Sequence, residues 1–311
     1  MAGVLDVLII GGGAAGYAAG IFAARDRCRA LLLEKFSAGG QVLNCEHITN
    51  YPGFPQAVAG YTLGPLLQEQ ATAAGLQVAM NEVTAVRLDG DVKIVETDGG
   101  SHETRTLIVA SGSRFTRLGI PGEEQFVGRG VSHCASCDGS FFMQKPVVVV
   151  VGGGDAAVDE ALHLTQYASA VTVLHRRDAL RACASLQERA RSEPKLSFKW
   201  NSALRAIEGN DGVERVQVED LASGKATTLA ASGVFVYAGL TPNTEFLGGL
   251  VPLEASGQIV TDLRMRTRVP GILAAGDVRA ESARQLITAA GDGATAALGA
   301  IDYLRSGGWP A

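Results

Sequence analysis

Two stretches of the chain carry the same succession of apolar run, glycine turn, small-residue stretch and second apolar run. The first opens with Asp6-Val7-Leu8-Ile9-Ile10 and turns on Gly11-Gly12-Gly13-Ala14-Ala15-Gly16. It continues as an alanine-rich stretch to about Asp26 and returns as Ala30-Leu31-Leu32-Leu33-Glu34. Short aliphatic runs bounded by glycines predict strands buried on both faces, and the longer alanine-rich stretch predicts a helix. The second copy runs from Val147 to Val151, turns on Gly152-Gly153-Gly154-Asp155-Ala156-Ala157, and continues as a helix near Val158 to Gln166. It closes with Ala170-Val171-Thr172-Val173-Leu174-His175. Adding 141 to positions 11, 13, 16 and 34 gives 152, 154, 157 and 175 without a gap, so the pair reads as an internal repeat.

Two further aliphatic segments end in small residues: Leu107 to Ser113, through Ala110-Ser111-Gly112, and Gly271 to Asp277. Both are expected to complete the first unit, so the chain starts one domain, inserts a second and returns. The crossovers are expected at Arg114 to Gly122, with Pro121-Gly122, and at Ala238 to Glu245, with Pro242. The predicted fold class is α/β: two Rossmann-like three-layer nucleotide-binding domains, the second inserted in the first. The expected boundaries are 1–116 and 246–311 for the discontinuous domain and 117–245 for the insert.

Each turn has the spacing GxG followed by a helix. The first glycine serves the tight turn, the second lets a pyrophosphate approach, and the third position packs helix on strand. The helix N-terminus then faces the phosphates. The copies differ where the second strand ends. Glu34 offers a carboxylate to ribose hydroxyls and would repel a 2′-phosphate. Its counterpart begins His175-Arg176-Arg177, with Arg181 four residues later, and guanidinium forks match phosphate oxygens. The first site therefore suits FAD and the second NADPH, unless the arginines are an ordinary solvated loop. Asp277, at a strand end, can hold a ribityl hydroxyl.

At 311 residues and 47% hydrophobic content, the chain can fill two cores. Its 39 glycines exceed the roughly 22 that an average usage of about 7% would give, as expected where backbone approaches ligands. A net charge of -5 argues against nucleic acid or an anionic membrane as partner. The longest aliphatic run, Val147 to Val151, is far short of the roughly 20 residues of a membrane helix. The N-terminus enters Val4 to Ile10 without a basic flank or cleavage site, so a cytoplasmic chain is expected.

Cys134-Ala135-Ser136-Cys137 lies just ahead of the second glycine turn. In a reducing compartment such a pair signals dithiol–disulfide exchange or half of a zinc site. The zinc reading needs a second pair, and Cys28, Cys45 and Cys183 show no ligand spacing, so no metal is expected. Asp138, beside Cys137, is the candidate acid–base group, with a cap or turn role as the alternative. His133 would raise the thiolate fraction of Cys134 if cationic; a locally bonded imidazole would not.

In this order and spacing the motifs resemble the low-molecular-weight, bacterial-type thioredoxin reductases, a pyridine nucleotide-disulfide oxidoreductase class, along essentially the whole chain. The resemblance is carried by Gly11 to Gly16, Gly39-Gly40-Gln41, Cys134 to Asp138, Gly152 to Asp155, His175-Arg176-Arg177 with Arg181, Gly276-Asp277, Arg284-Gln285 and Ala289-Ala290-Gly291. It implies FAD held around Gly11, Gly13, Ala14, Ala15, Gly16, Glu34, Lys35, Gly39, Gly40, Gln41, Asn50, Val83, Ala110, Ser111, Gly112, Gly276, Asp277, Arg284 and Gln285. It implies NADPH at Gly152, Gly154, Asp155, Ala156, His175, Arg176, Arg177 and Arg181. It also implies catalysis by Cys134, Cys137 and Asp138, with Cys137 facing the flavin and Cys134 attacking the partner disulfide, a thioredoxin or thioredoxin-like partner, and a homodimer. Ser136, where the family usually has Thr, keeps the hydroxyl. His133 and Asn44-Cys45-Glu46-His47 depart from the pattern.

Because CxxC and NADPH unit share the insert while the flavin belongs to the other domain, the insert is expected to swing between two orientations. Competing expectations are a dithiol oxidase of the same architecture, which would not need Arg176 and Arg177, and a ferredoxin- or flavodoxin-directed NADPH reductase, which would not need the CxxC. A flavin-bearing redox sensor is the non-enzymatic alternative.

Overall fold

A computed structural model describes residues 3–45 and 48–309, without the side chains of Ser136, Val147, Val148 and Val149. Glu46 and His47, where the sequence departs from the resemblance, lie outside the described residues. In chain order the elements begin β1 (Leu5–Ile10), α1 (Ala14–Arg25), β2 (Ala30–Glu34), α2 (Gly60–Ala73), β3 (Gln77–Met80), β4 (Val83–Asp89), β5 (Val92–Thr97), β6 (Gly100–Val109) and β7 (Ser113–Phe115). They continue as β8 (Val131–Ser132), α3 (Ala135–Asp138), β9 (Pro146–Val151), α4 (Asp155–Leu164), β10 (Ala170–Leu174), α5 (Ala184–Ser192) and β11 (Leu196–Lys199). The remainder is β12 (Ser202–Glu208), β13 (Arg215–Asp220), β14 (Ala226–Ala230), β15 (Val234–Val236), β16 (Leu240–Pro242), β17 (Ile272–Ala274) and α6 (Leu286–Ser306).

The chain divides into two compact units, Met1–Arg114 with Thr241–Ala311, and Phe115–Leu240. The crossing segments β7 and β16 pair as a two-stranded ribbon. In the discontinuous unit the sheet order is β3-β2-β1-β6-β5-β4, with β17 also on β6. Strand β6 pairs with β1 along one edge and shares its other edge between two strands: Gly100 to Thr104 lie antiparallel to β5, and Leu107 to Val109 lie parallel to β17. Val7, Ile9, Leu32, Ile108 and Leu273 pack in one core with alanines of α1 and α6, and Leu8, Ile10, Leu31, Leu33 and Val109 in another. Burial on both faces explains why these strands are continuous apolar runs instead of alternating ones.

The inserted unit carries the parallel sheet β11-β10-β9-β15-β8. Ala157, Ala161 and Leu164 of α4 pack with Val171, Val173 and Phe235 in one core. A second antiparallel sheet, β12-β13-β14, supplies Leu204, Val216 and Val218 to a core with Leu174, Val234 and Val236.

The 141-residue repeat is a repeat of register as well as of sequence. Ile9 and Ile10 face Leu32 and Leu33, and Val150 and Val151 face Val173 and Leu174. The copies part only further from the turn, where β9 and β10 slip by one at Thr172/Val173. Two boundaries differ from expectation. The strand expected from Leu107 to Ser113 begins at Gly100 and ends at Val109, because its polar half is held by β5. The helix expected near Val158 to Gln166 spans Asp155–Leu164, because the helix opens directly on Gly154.

Candidate functional site

Both glycine turns deliver a helix N-terminus with the same backbone. Gly13 precedes α1 with φ -85° and ψ -173°, and Gly154 precedes α4 with φ -93° and ψ -179°. Neither helix has a side-chain cap, so the first-turn amides point outward as phosphate donors. A Cβ on Gly13 would meet only Gly39 O at 4.0 Å, and one on Gly154 nothing within 4 Å. Each middle glycine thus leaves open room above donor amides, which fits a pyrophosphate. Gly11 is required for another reason: its φ is 106°, and a Cβ would meet Ala110 O at 2.4 Å. Ala14, Ala15 and Gly16 are buried in the first turn of α1, whereas Asp155 and Ala156 are exposed in that of α4.

Glu34 fastens the first turn to the end of β2. Its Oε2 accepts the Gly12 N–H at 2.6 Å, and its Oε1 accepts those of Lys35 at 2.8 Å and Phe36 at 2.9 Å. The Lys35 ammonium is paired with Glu82 at 2.6 Å. The Gly39 N–H donates to Gly12 O at 2.8 Å, which brings the short helix Gly40–Asn44 to the turn. Gln41 Nε2 donates to Ser113 O at 2.9 Å, and Asn50 Nδ2 to Gln285 Oε1 at 3.1 Å. Ala110 donates to Ile10 O at 2.8 Å, directly behind the turn. Ser111 Oγ donates to Asn243 O at 2.7 Å, and Asn243 N–H to Gly112 O at 3.0 Å. Val83 is half-buried at the start of β4.

Gly276 and Asp277 form a short turn after β17. Burial pushes the Asp277 carboxyl above its ordinary value, against a Ser282 hydrogen bond and the Arg284 charge, which hold it down. Arg284 has φ 54°. Behind the turn, Asp292 of α6 accepts the Gly276 N–H at 3.2 Å and both Nε and Nη2 of Arg279 at 2.7 and 3.0 Å.

In the inserted unit Asp155 accepts the Cys183 N–H at 2.8 Å, and Arg181 N–H donates to Gly153 O at 2.6 Å. This folds the loop after β10 over the second turn. Arg176, Arg177 and Arg181 are exposed, while His175 is buried with its ring against Gly153 and edge-on to Trp200 at 6.2 Å. Burial pushes the imidazole below its ordinary value; the Ala179 backbone opposes this and the three arginines add to it. His175 is therefore a neutral spacer beneath the glycine turn at pH 7, distinct from the charged row of arginines.

Cys134 and Cys137 form a disulfide across α3, with Cys134 as its N-cap. The Cys137 N–H donates to Cys134 Sγ at 3.1 Å, and the Asp138 N–H to Cys134 O at 3.2 Å. Cys137 is exposed; Cys134 and Asp138 are half-buried. His133 is a locally bonded imidazole, stacked on Phe115 at 5.7 Å with Nδ1 2.8 Å from Val236 O. A carbonyl only accepts, so Nδ1 carries the proton of that bond. Cys28, Cys45 and Cys183 are not joined in disulfides. Burial raises the Cys28 thiol, and Asp26 and Asp6 add to the rise, keeping it protonated.

Three groups escaped the reading of the sequence: Asn243, the Asp292–Arg279 pair, and Glu160, whose Oε2 accepts the Ala135 N–H at 2.9 Å. The legible signal was a carboxylate within an otherwise small or apolar helical stripe, at Glu160 among Ala157, Ala161 and Leu164 and at Asp292 among Ala296, Ala297 and Ala300.

Two nucleotide cradles and a CxxC disulfide in one chain define a class, and the comparisons agree. The chain belongs to the pyridine nucleotide-disulphide oxidoreductase family, whose model matches residues 5–293. Within that family it is similar to the thioredoxin reductase of Treponema pallidum strain Nichols, 44% identical over 302 residues that cover 96% of this chain and 97% of the relative. Among solved structures it is similar to Lactococcus lactis thioredoxin reductase, with TM-score 0.95, 42% identity and coverage of 97% and 99% of the two chains. It is also similar to T. acidophilum thioredoxin reductase, with TM-score 0.90, 32% identity and coverage of 94% and 96%.

Proposed function

We propose that the chain is an NADPH-dependent flavoprotein disulfide reductase that passes electrons through FAD and Cys134–Cys137 to a thioredoxin. The observation that carries this is a CxxC disulfide in the same unit as a glycine cradle followed by Arg176, Arg177 and Arg181. When bound, FAD relays two electrons from the nicotinamide of NADPH to the disulfide. The chain's own residues bind and orient. In this reading the amides above Gly13 and Gly154 hold the two pyrophosphates, Glu34 and Asp277 accept from ribose and ribityl hydroxyls, and the arginines take the 2′-phosphate. Cys134 attacks the partner disulfide as thiolate, and Asp138 holds and returns the proton.

Assembly as a homodimer, a cytoplasmic setting and the identity of the thioredoxin or thioredoxin-like partner belong to the same proposal. Among the described residues no helix is long and apolar enough to cross a membrane. A reductase of another thioredoxin- or glutaredoxin-like protein would use the same groups; a dithiol oxidase would leave the arginines without a role. Anaerobic titration of the yellow protein with NADPH, followed by addition of thioredoxin, tests the reading. NADPH should bleach the flavin and thioredoxin should restore its colour. A flavin that NADPH does not bleach would overturn the nicotinamide assignment, and bleaching without transfer to any thioredoxin would overturn the partner.

A further inference from the structure

Glu160 is the one acid among the buried side chains of α4, at 7% exposure. A carboxylate is rarely taken into an aliphatic helix face unless a partner holds it there. Here Oε2 accepts the Ala135 N–H at 2.9 Å, the first amide of α3 and the one that follows Cys134. Further along, Leu164 of α4 and Tyr167 beyond it lie against Gly139, immediately after the CxxC turn. Helix α4 therefore underlies the whole redox turn, with its only buried acid at the Cys134 end.

We propose that Glu160 is a positioning residue for the redox disulfide, fixing the Cys134 end of the turn and making the dithiol a stronger reductant by placing a buried negative charge beside Cys134. The proposal rests on the reading of Cys134 and Cys137 as the working pair. Reduction breaks the S–S bond with two electrons and two protons to give two thiols, or with one proton to give a thiol and a thiolate. A thiolate on Cys134 would be supported by the Cys137 N–H, 3.1 Å from Sγ. The Ala135 N–H is already taken by the carboxylate, and a like charge in a poorly solvated place disfavours a second anion. Destabilising the reduced form shifts the pair toward the disulfide, so electrons leave it more readily. The other titratable groups on packed elements are His133, Asp138 and, on α4, Asp155, Asp159 and His163; β15 contributes none.

The test uses the FAD-loaded enzyme and its Glu160→Gln variant. The amide keeps an oxygen for the Ala135 N–H and removes the charge. Each protein is equilibrated anaerobically with glutathione and glutathione disulfide, in which two glutathione thiols supply the electrons and protons, and the Cys134–Cys137 state is read by thiol labelling. E160Q should be reduced about tenfold more easily, which is ~30 mV for two electrons. The pH profile for alkylation of its reduced pair should move to lower pH. An unchanged equilibrium and profile in a variant with wild-type melting temperature would overturn the proposal, as would a shift of opposite sign. Neither readout needs thioredoxin or NADPH, so the proposal and the functional reading fail separately.

Discussion

At the residue scale, charge separates the two nucleotide sites. Arg176, Arg177 and Arg181 are exposed at the rim of the second cradle, and a hydrogen bond to a charged group contributes about 1.5–3 kcal/mol. Replacing Arg176 and Arg177 by Ala should raise KM for NADPH at least ten- to hundredfold, with kcat and KM for NADH little altered in steady-state assays. Asp277 carries the opposite lesson. Its folded-state value is raised, chiefly by burial, so between the unfolded and folded values the folded protein binds more protons than the unfolded chain. Its contribution to stability therefore falls as pH rises through that window and stays reduced above it. Asp277→Asn should abolish this fall in flavin-free protein, seen as a melting temperature above wild type at neutral pH but equal to it near pH 3, while FAD binding weakens.

At the element scale, α6 is the brace of the first cradle. Asp292 holds both Arg279 and the Gly276 amide, and it is 9% exposed. Removing one partner of a buried pair costs about 3–5 kcal/mol, so Asp292→Ala should lower the urea midpoint strongly and weaken FAD binding through the Gly276-Asp277 turn. One residue on, a Cβ at Gly293 would lie 2.0 Å from Ala15 O. Gly293→Ala should push α6 off α1 and destabilise by about 1–3 kcal/mol, measured by the same unfolding curve. Helix α4 has a comparable double duty in the inserted unit. Its first turn opens the nucleotide cradle, and Glu160, about 7.5 Å along the axis, meets the redox turn.

At the scale of the whole molecule, the chain enters and leaves the inserted unit through β7 and β16 alone, a ribbon suited to act as a double hinge. With disulfide and nicotinamide both carried by the insert, the proposed cycle requires them to take turns at the flavin. A covalent cross-link between the two units should stop steady-state turnover while sparing one half-reaction in stopped-flow measurements. Full rates for both half-reactions in the locked enzyme would refute the alternation.

The strands β1, β2 and β17 were legible because they are largely buried and show as aliphatic runs, and β9 and β10 repeat that sequence pattern. The glycine turns were legible because close backbone approach admits few residues. The meander β4–β5, the sheet β12–β14 and helix α2 gave no such signal. They are partly exposed, and mixed polar and apolar sequence acquires meaning only against a partner surface. The same divide runs through the site. Residue type and spacing determined by themselves the two cradles, the contrast between Glu34 and the arginines, and the CxxC pair. Only the tertiary structure decided that His175 is a buried neutral spacer, that His133 bonds to Val236, and that Glu160 and Asp292 reach the turns they hold. Those roles depend on contacts between segments distant in sequence, and no local spacing encodes which buried acid meets which amide.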